Sequence, residues 1–320
     1  MKYSNFSARE FNHMSVDYVK GTITKKSEKK QKLLDEAYWY KSLPNDLVDF
    51  APVVFDVIET PEDVSIVMEL FPYPNLAYTG LQDCSDFDKW SNIIRELFAI
   101  HSVMEKHIAD LDESEYEYIY NAKTLERLEK TRESNAPVAK MMLGDKIIIN
   151  GREYHNLSVL QDAMFERIRD LIKYNRRTVV HGDFCFSNIL YDAENNSFRF
   201  VDPRGGFGKT SIYGDPRYDI AKLRHSFIGL YDFIIADLFR LESSGDNSFE
   251  FYIDADIDTE KTEEFFDSIC AEYGFNPDDI KFIEALLFLT MIPLHSDKPE
   301  HQKAFYLIAI KKLNEVIYGK

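Results

Sequence analysis

The spacing of apolar residues changes near position 72, and this change constrains the fold more than any other feature of the sequence. Before it, β-prone apolar residues recur in short runs that indicate strands. The turn-rich PYPN at residues 72–75 ends this pattern, and apolar residues three and four apart then indicate helices. Residues 16–26 are a β-rich stretch that includes the strand GTITKK, and further strands are predicted over 52–59 and 64–71. The main predicted helices beyond the break are 88–108, 121–134 and 157–174. We therefore expect an α+β protein with a small β-rich N-terminal lobe, residues 1–75, and a larger, mainly helical lobe, residues 76–320.

Local signals fix a few elements more closely. One helix is predicted inside the first lobe, with Ser27 as its N-cap and its end just before Pro44. The Asn150-Gly151 pair between apolar flanks predicts a tight hairpin. The segment from Tyr218 to Lys320 is predicted to be mostly amphipathic helix with a break near residue 245.

The charge balance limits the classes of partner. Lys and Arg total 38 against 55 Asp and Glu, which gives a net charge of −17. Sequence-independent binding to nucleic acid or to anionic membranes needs a basic surface, so the net charge argues against both. An anionic small molecule would need a local cation, backbone N–H groups or a bound metal ion.

No targeting or covalent framework is evident in the sequence. The first residues contain no apolar run of the signal-peptide kind, and no apolar stretch is long enough to span a membrane, so we expect a cytoplasmic protein. Cys84, Cys185 and Cys270 are far apart and odd in number, which argues against a disulfide framework or a zinc site. The oligomeric state is left open.

The segment 178–206 carries the chemistry. Its residues His181, Asp183 and Asn188 fit the pattern H-x-D-x-x-x-x-N of phosphotransferase catalytic loops. In that pattern the Asp accepts or orients the proton of the acceptor hydroxyl, and the Asn holds a metal ion. A pattern of three residues also arises by chance, so it needs support from its surroundings.

A predicted hairpin supplies that support. Residues 189–192 and 198–201 are β-prone runs on either side of the turn AENNS. Asn188 precedes the first strand and Asp202 follows the second, so a hairpin brings an amide oxygen and a carboxylate to the same end. Such hard oxygen ligands suit Mg²⁺. The alternative is that Asp202, which precedes a proline, is an ordinary turn residue.

The run HGDFCFSNIL at 181–190 followed by VDPRG at 201–205 resembles the aminoglycoside phosphotransferase and choline kinase group of the protein-kinase-like fold. Within that group it is most similar to bacterial members associated with capsule or surface-polysaccharide loci. The resemblance extends to GDPRYDIAKL at 214–223. It implies a two-lobed kinase-like fold, ATP and Mg²⁺ as cofactors, and a nucleotide and a small hydroxyl acceptor as partners.

The resemblance also implies roles for single residues. Asp183 would be the catalytic Asp, and Asn188 and Asp202 would ligate Mg²⁺. His181 would be a structural member of the loop, and Asp219 would match the buried Asp that braces it.

A kinase-like fold requires a strand Lys that reaches the phosphates and pairs with a Glu on the next helix. The strand GTITKK offers Lys25 and Lys26, of which Lys25 is favoured, and Glu36 on the predicted helix is its expected partner. Lys26 remains an alternative, and Glu36 could instead be a solvated residue of a Lys-rich helix.

The strand that leaves the small lobe is expected to contact adenine. Met68 would flank the base, and the backbone of Glu69 to Phe71 would bind it, although an ordinary buried strand would read the same way. The sequence lacks G-x-G-x-x-G, so the segment covering the phosphates is sought in Ser4–Asn12 or Asn12–Ser15. Arg204, in DPRG, could hold a phosphate or an anionic acceptor, or form an ion pair within its lobe.

The acceptor is only loosely indicated. Its site is sought in the segment 110–156 and near His225, Tyr231 and Asp232. A basic cluster could hold an acidic sugar, although interleaved glutamates also fit a solvated helix face. The cluster consists of Lys123, Arg127, Lys130 and Arg132.

Three functions fit the sequence. The first is a small-molecule kinase that transfers the γ-phosphoryl group of ATP to a hydroxyl, for example of a sugar or amino alcohol. The second is a catalytically silent nucleotide-binding module, since the glycine loop is missing. The third is nucleotidyl transfer on the same fold.

Overall fold

The computed structural model describes residues 12–134, 136–174, 176–245 and 247–319. The chain forms two compact units. Unit 1 contains the chain up to Gln82 together with Ala99–Asp110 and Arg177–Asp219. Unit 2 contains Asp83–Phe98, Leu111–Arg176 and the chain from Ile220 onward. Unit 1 therefore holds both the N-terminal strands and the segment that carries the predicted site.

The elements of the described residues are as follows. The strands are β1 (Asn12–Asp17), β2 (Thr22–Ser27), β3 (Val54–Glu59), β4 (Val64–Glu69), β5 (Lys146–Ile149), β6 (Arg152–His155), β7 (Thr178–Val179), β8 (Ile189–Asp192), β9 (Ser197–Phe200), β10 (Tyr213–Gly214), β11 (Phe239–Gly245) and β12 (Ser248–Ile253). The α-helices are α1 (Lys30–Ser42), α2 (Leu76–Gln82), α3 (Phe87–Met104), α4 (Glu113–Tyr116), α5 (Lys123–Ser134), α6 (Ala136–Met141), α7 (Leu157–Leu171), α8 (Pro216–Phe227), α9 (Tyr231–Ile235), α10 (Thr259–Glu272), α11 (Pro277–Met291) and α12 (Pro299–Tyr318). A π-helix, Glu117–Ala122, joins α4 to α5.

The N-terminal sheet of unit 1 is antiparallel, with the order β1-β2-β4-β3 among the described strands. The β-rich stretch 16–26 contains the end of β1, a turn and most of β2, and the predicted strand GTITKK is confirmed as β2. Asp17 makes this turn by accepting hydrogen bonds from the backbone N–H groups of Val19 and Lys20, and Gly21 follows with φ +64°. The predicted strands 52–59 and 64–71 are confirmed as β3 and β4, with slightly later starts or earlier ends.

Helix α1 buries Leu33, Ala37 and Tyr40, as its apolar spacing predicts. The prediction that Ser27 caps it is wrong. Ser27 still pairs with Val64 in the sheet, and its hydroxyl accepts the backbone N–H of Lys29 before the helix begins. The helix ends before Pro44, as expected.

The predicted hairpin of the site segment is confirmed as β8 and β9. Ile189 pairs with Phe200, and the backbone N–H of Val201 donates to the carbonyl of Asn188 at 2.9 Å. The residues just outside the ladder, Asn188 and Asp202, therefore leave it at the same end.

Unit 2 contains a sheet that the sequence did not predict in full. The Asn150-Gly151 hairpin between β5 and β6 is confirmed, with positive φ at both turn residues. The prediction that 218–320 is mostly helix is wrong over 239–253, where β11 and β12 form a second hairpin and β12 pairs parallel with β5. The first four residues of β12, SFEF, alternate between half-buried and buried, which is a strand pattern.

The helical part of unit 2 encloses most of its core. In α11 every residue from Ile280 to Met291 except Lys281 is buried, and α12 packs against this helix. The predicted helices 88–108, 121–134 and 157–174 are observed as α3, α5 and α7 with shifted ends. No helix of the described residues combines the length and apolar content that crossing a membrane requires.

Candidate active site

The catalytic-loop residues lie at the open end of the β8–β9 hairpin. Asn188 is buried, and its amide nitrogen donates to the backbone carbonyl of Asp183 at 2.9 Å and to the Asp183 carboxylate at 3.2 Å. These two bonds fix the amide with its nitrogen towards Asp183, so the oxygen faces away from it. Its one hydrogen bond among the described residues is a long one, 3.4 Å, from the Ser187 hydroxyl. This oxygen can ligate a cation.

The buried carboxylate of Asp219 is hydrogen-bonded to the backbone of the loop that contains Asp183. Asp219 accepts hydrogen bonds from the backbone N–H groups of His181 and Gly182, both at 2.7 Å. The two bonds are charge-assisted, and the Asp219 carboxylate is completely buried. Burial raises the pKa of Asp219 to about 6, although the charge of His101 and the two N–H donors oppose this. Asp219 therefore contacts the segment that it was predicted to brace, and its role as a brace stays a prediction.

His181 is fully buried. Its Nε2 lies 3.1 Å from the carbonyl of Val201, and its Nδ1 accepts the backbone N–H of Asp183 at 3.3 Å, which defines the Nε2–H tautomer. Burial lowers the pKa of His181 to about 4. The ring is also packed against Trp39 and Phe200. The contacts agree with the structural role predicted for His181, which stays a prediction.

His101 also contacts the site, although no sequence pattern indicated it. This residue of α3 is fully buried, and its ring lies between Glu105, at 3.1 Å, and Asp219, at 3.8 Å. His101 is therefore a further polar side chain next to the Asp219 carboxylate. A His within an apolar helix face was the available signal, but an isolated His has many structural roles, so its spacing alone could not identify it.

The N-terminal sheet supplies the positive charge. The Lys25 ammonium donates to Glu36 on α1 at 2.7 Å and also to the Asp202 carboxylate. Lys25 and Glu36 are buried, with 4% and 2% of their surface exposed, so the interpretation of Glu36 as a solvated residue is excluded. Lys26 points elsewhere and pairs with Asp63. Lys25 is therefore the lysine that meets the site segment.

The three charges control one another's protonation. Burial opposes the charge of Lys25, but Glu36 and Asp202 outweigh it and raise the pKa of Lys25. Burial raises the pKa of Glu36, with Lys25 opposing. Burial also tends to raise the pKa of Asp202, but the charge of Lys25 outweighs this effect and lowers the pKa. Half of the Asp202 side chain is open to solvent, which weakens this last effect.

Lys32 is a second cation that the sequence analysis missed. It stands one turn before Glu36 on α1, on the same side of the helix. Burial of its ammonium group and repulsion from Lys25 lower the pKa of Lys32, and attraction to Asp202 and Asp183 opposes them. Much of its side chain is nevertheless exposed. The Lys-rich start of α1 hid this residue, because solvated lysines are common there.

Arg204 contacts the catalytic loop itself. Its Nε donates to the carbonyl of Gly182 at 3.2 Å, and its guanidinium lies 4.8 Å from the ring centroid of Phe207, with Tyr218 also in contact. These contacts orient the side chain along the loop. A role in holding a phosphate or an anionic acceptor stays a prediction.

Met68 lies in β4 between two neighbouring strands, opposite Ile23 and Val54, and is buried. After β4 ends at Glu69, the N–H of Leu70 donates to the carbonyl of Gly21. The backbone N–H of Phe71 has no hydrogen-bond partner within the described part of the chain. The predicted adenine-binding backbone thus offers at least one donor.

The segment sought as a phosphate cover is only partly described. Residues Asn12–Ser15 belong to strand β1 and are not a loop. Ser4–Phe11 lies outside the described residues.

The donor set fits Mg²⁺ bound together with a nucleotide. Asn188 and Asp202 offer an amide and a carboxylate oxygen at one hairpin end, and phosphate oxygens and water would complete the shell. Among the described residues no group of three or more His, Cys, Asp or Glu side chains could hold a metal by itself.

The residues considered for the acceptor belong to unit 2. His225 is fully buried, with its ring centroid 4.6 Å from that of Tyr231 and 4.1 Å from that of Phe288. Burial raises the pKa of Asp232 to about 6. The basic cluster lies entirely on α5, where Arg132 donates to Gln161. A role in acceptor binding stays a prediction for all of them.

Comparison with solved structures shows the fold. A crystal structure of a thermostable mutant of the aminoglycoside phosphotransferase APH(4)-Ia, in its apo form, matches 98% of this chain and 93% of its own with a TM-score of 0.58 and 12% identity. A crystal structure of an aminoglycoside-3'-phosphotransferase of type VIII covers 84% of each chain with a TM-score of 0.45 and 13% identity. No protein-family model matches the chain, and no curated protein matches it.

The chain therefore has the α+β, kinase-like fold of the aminoglycoside phosphotransferases, with a β-rich N-terminal sheet and a mainly helical C-terminal part. The fold predicted from the resemblance of residues 181–223 is confirmed. Identity of 12% carries the comparison no further than the fold.

Proposed function

We propose that this protein is an ATP- and Mg²⁺-dependent phosphotransferase that moves the γ-phosphoryl group to a hydroxyl of a small molecule. The observation that carries the proposal is the cluster in unit 1. Lys25, paired with Glu36, meets Asp202 at the hairpin end where Asn188 is oriented by Asp183. One cluster thus combines a cation, two hard oxygen ligands and a candidate base.

The N-terminal sheet would bind the nucleotide. Lys25, held by Glu36, would contact its phosphates, with Lys32 nearby as a second cation. Met68 would flank adenine, and the backbone of Glu69 to Phe71 would bind its edge. Both lysines compensate locally for a chain of net charge −17.

Asn188 and Asp202 would hold Mg²⁺, which when bound neutralises charge on the phosphates. Asp183 would accept or orient the proton of the acceptor hydroxyl. The hydroxyl oxygen forms a bond to the γ-phosphorus as the bond from that phosphorus to the bridging oxygen breaks. ADP leaves, and the proton passes to Asp183 and then to solvent.

The acceptor proposed is a neutral or cationic metabolite, such as a sugar or amino alcohol of surface-polysaccharide synthesis. The net charge of −17 supports a neutral or cationic acceptor over a polyanion. The resemblance of the catalytic segment to enzymes of capsule loci supports the polysaccharide connection, and such an activity would take place in the cytoplasm.

Mass spectrometry of acceptor panels tests this function. Sugars, amino alcohols and aminoglycosides are incubated with ATP, Mg²⁺ and protein, and with the Asp183→Asn variant as control. A mass gain of one phosphate that depends on Asp183 is expected. A gain of a nucleotide would identify nucleotidyl transfer instead. Bound nucleotide with no modified acceptor across the panel would favour a silent binding module.

A further inference from the structure

Four residues of unit 1 form a closed ring of hydrogen bonds. The backbone N–H of Asp202 donates to the Tyr40 hydroxyl at 3.0 Å, and this hydroxyl lies 3.4 Å from Oε1 of Glu36. The Lys25 ammonium donates to Oε2 of Glu36 and to the carboxylate of Asp202, which closes the ring. Asp202 is thus held twice, by its side chain through Lys25 and by its backbone through Tyr40.

The backbone of Asp202 needs such a support. Its φ of +57° lies in the left-handed region, where a residue with a Cβ is strained by roughly 1–2 kcal/mol. The surrounding structure must therefore impose this conformation. Among the described residues, Tyr40 is the partner of its N–H group, so the hydroxyl fixes the peptide that orients the carboxylate.

Tyr40 is itself rigidly placed. It is buried, with 7% of its surface exposed, and its ring packs edge-on against Trp39 with centroids 5.6 Å apart. The Trp39 indole donates to the carbonyl of Val180, directly before the catalytic loop, at 2.7 Å. Helix α1 is therefore tied to the site segment at two neighbouring positions.

We propose that Tyr40 is a positioning residue for the metal ligand Asp202. The inference rests on the proposed function, in which Lys25 turns to the phosphates of a bound nucleotide. Lys25 then ceases to hold the Asp202 carboxylate, and the Tyr40 bond keeps the backbone of Asp202 in its left-handed conformation. The carboxylate thereby stays aimed at the place where a divalent ion binds.

Hydrogen exchange of the metal-free protein tests the first step. The Asp202 amide is readily isolated because Pro203 has no N–H. Tyr40→Phe removes only the hydroxyl and should speed exchange of this amide at least tenfold. Tyr38→Phe, which deletes an exposed hydroxyl of the same helix, is the matched control and should leave the rate unchanged. An unchanged rate in Tyr40→Phe would overturn the inference.

Metal binding tests the second step. Mn²⁺ is titrated calorimetrically into protein saturated with ADP, and Tyr40→Phe should weaken Mn²⁺ binding about five- to tenfold while Tyr38→Phe does not. The same loss is expected in a Lys25→Met/Glu36→Gln background, which removes the ion pair without leaving a buried charge. If the loss vanishes there, Tyr40 acts only through that pair and the inference is wrong.

The two proposals fail differently. Wild-type protein that binds neither nucleotide nor Mn²⁺ would contradict the proposed function. Wild-type protein that binds both, with Mn²⁺ affinity unaffected by Tyr40→Phe, would contradict the role of Tyr40 alone.

Discussion

Single hydrogen bonds determine which groups of the catalytic loop are free to react. The amide nitrogen of Asn188 donates its hydrogen bonds to Asp183, so the amide oxygen remains available to a cation. Both ring nitrogens of His181 are hydrogen-bonded, one to the carbonyl of Val201 and the other to the backbone N–H of Asp183. Neither nitrogen is left for proton transfer. Asp183 is half-buried and remains the residue of the loop best suited to meet a hydroxyl.

Replacing Asp183 with Asn should abolish most of the transfer. The amide cannot accept the hydroxyl proton, so we expect the turnover number to fall by roughly 10²–10⁴-fold. Binding of Mg²⁺ and nucleotide should persist, because Asp202 is unchanged and Asn188 keeps its hydrogen bond to the backbone carbonyl of residue 183. Steady-state kinetics on an acceptor identified by mass spectrometry, with calorimetry of nucleotide binding, makes the measurement. Asp162→Asn, at an exposed helix position, is the control, and full activity of Asp183→Asn would remove Asp183 from the mechanism.

His181 should stay neutral in the folded protein well below the ordinary histidine pKa of about 6.5. Burial lowers its pKa to about 4, so the unfolded chain binds more protons than the folded one between pH 4 and 6.5. This residue therefore makes stability fall as pH drops through that range, by up to about 3 kcal/mol. ¹⁵N NMR should show a neutral Nε2–H imidazole at pH 5.5, and the urea-unfolded protein should show the charged form. A charged ring in the folded protein at pH 5.5 would contradict this.

The residues found from the sequence are those whose chemistry is written in a local pattern. Asp183 and Asn188 share one loop motif, and Asp202 follows from the hairpin that brings its chain back to Asn188. Tyr40 and Lys32 were missed for a different reason. Their roles depend on which side of α1 faces the site segment, and the contacts that decide this join residues more than 100 positions apart.

At the scale of elements, α1 and the loop after β9 touch through their backbones. Gly205 has φ +72°, and a Cβ built on it would lie 2.1 Å from the carbonyl oxygen of Asp35. No side chain fits between the two elements there. Thr210 adds a hydrogen bond of 2.6 Å to the Asp35 carboxylate. The distance between α1 and the Asp202 loop is therefore set by a glycine.

Gly205→Ala should destabilise unit 1 by about 3 kcal/mol or more, because it adds both backbone strain and a clash with backbone atoms. Gly21→Ala is the control. It has a similar φ of +64° but open space around the added methyl group, so only the strain of about 1 kcal/mol remains. Urea unfolding followed by Trp39 fluorescence in a Trp90→Phe background measures both. Equal losses would show that the close approach does not contribute.

The elements themselves were predicted unevenly. Helices with a strong apolar period, such as α3 and α7, were found with errors only at their ends. The β11–β12 hairpin was missed because β12 is stabilised by pairing with β5, about 100 residues earlier, and that pairing leaves no local mark. Ser27 was misassigned because a serine shortly before a helix predicts an N-cap, whereas here its backbone pairs with Val64 in the sheet.

For the whole molecule, the net charge of −17 should slow the arrival of an anionic nucleotide. Salt screens this repulsion, since the Debye length shrinks from about 30 Å at 0.01 M to about 8 Å at 0.15 M. We expect the association rate of Mg-ATP, measured by stopped flow, to rise severalfold over this range. Adenosine, which is uncharged, should show no such rise. A falling rate for Mg-ATP would mean that the local cations dominate the field.

Unit 1 is built from three separate segments of the chain, and this affects how it folds during synthesis on the ribosome. Its segments end at Gln82, Asp110 and Asp219, so the unit cannot be completed until more than two thirds of the chain has been synthesised. Until then Lys25 and Glu36 lack Asp202, and helix α1 lacks the surface against which Trp39 is buried. The nascent N-terminal strands must wait for the catalytic loop to emerge, and during that interval they are the part of the chain most in need of chaperone protection.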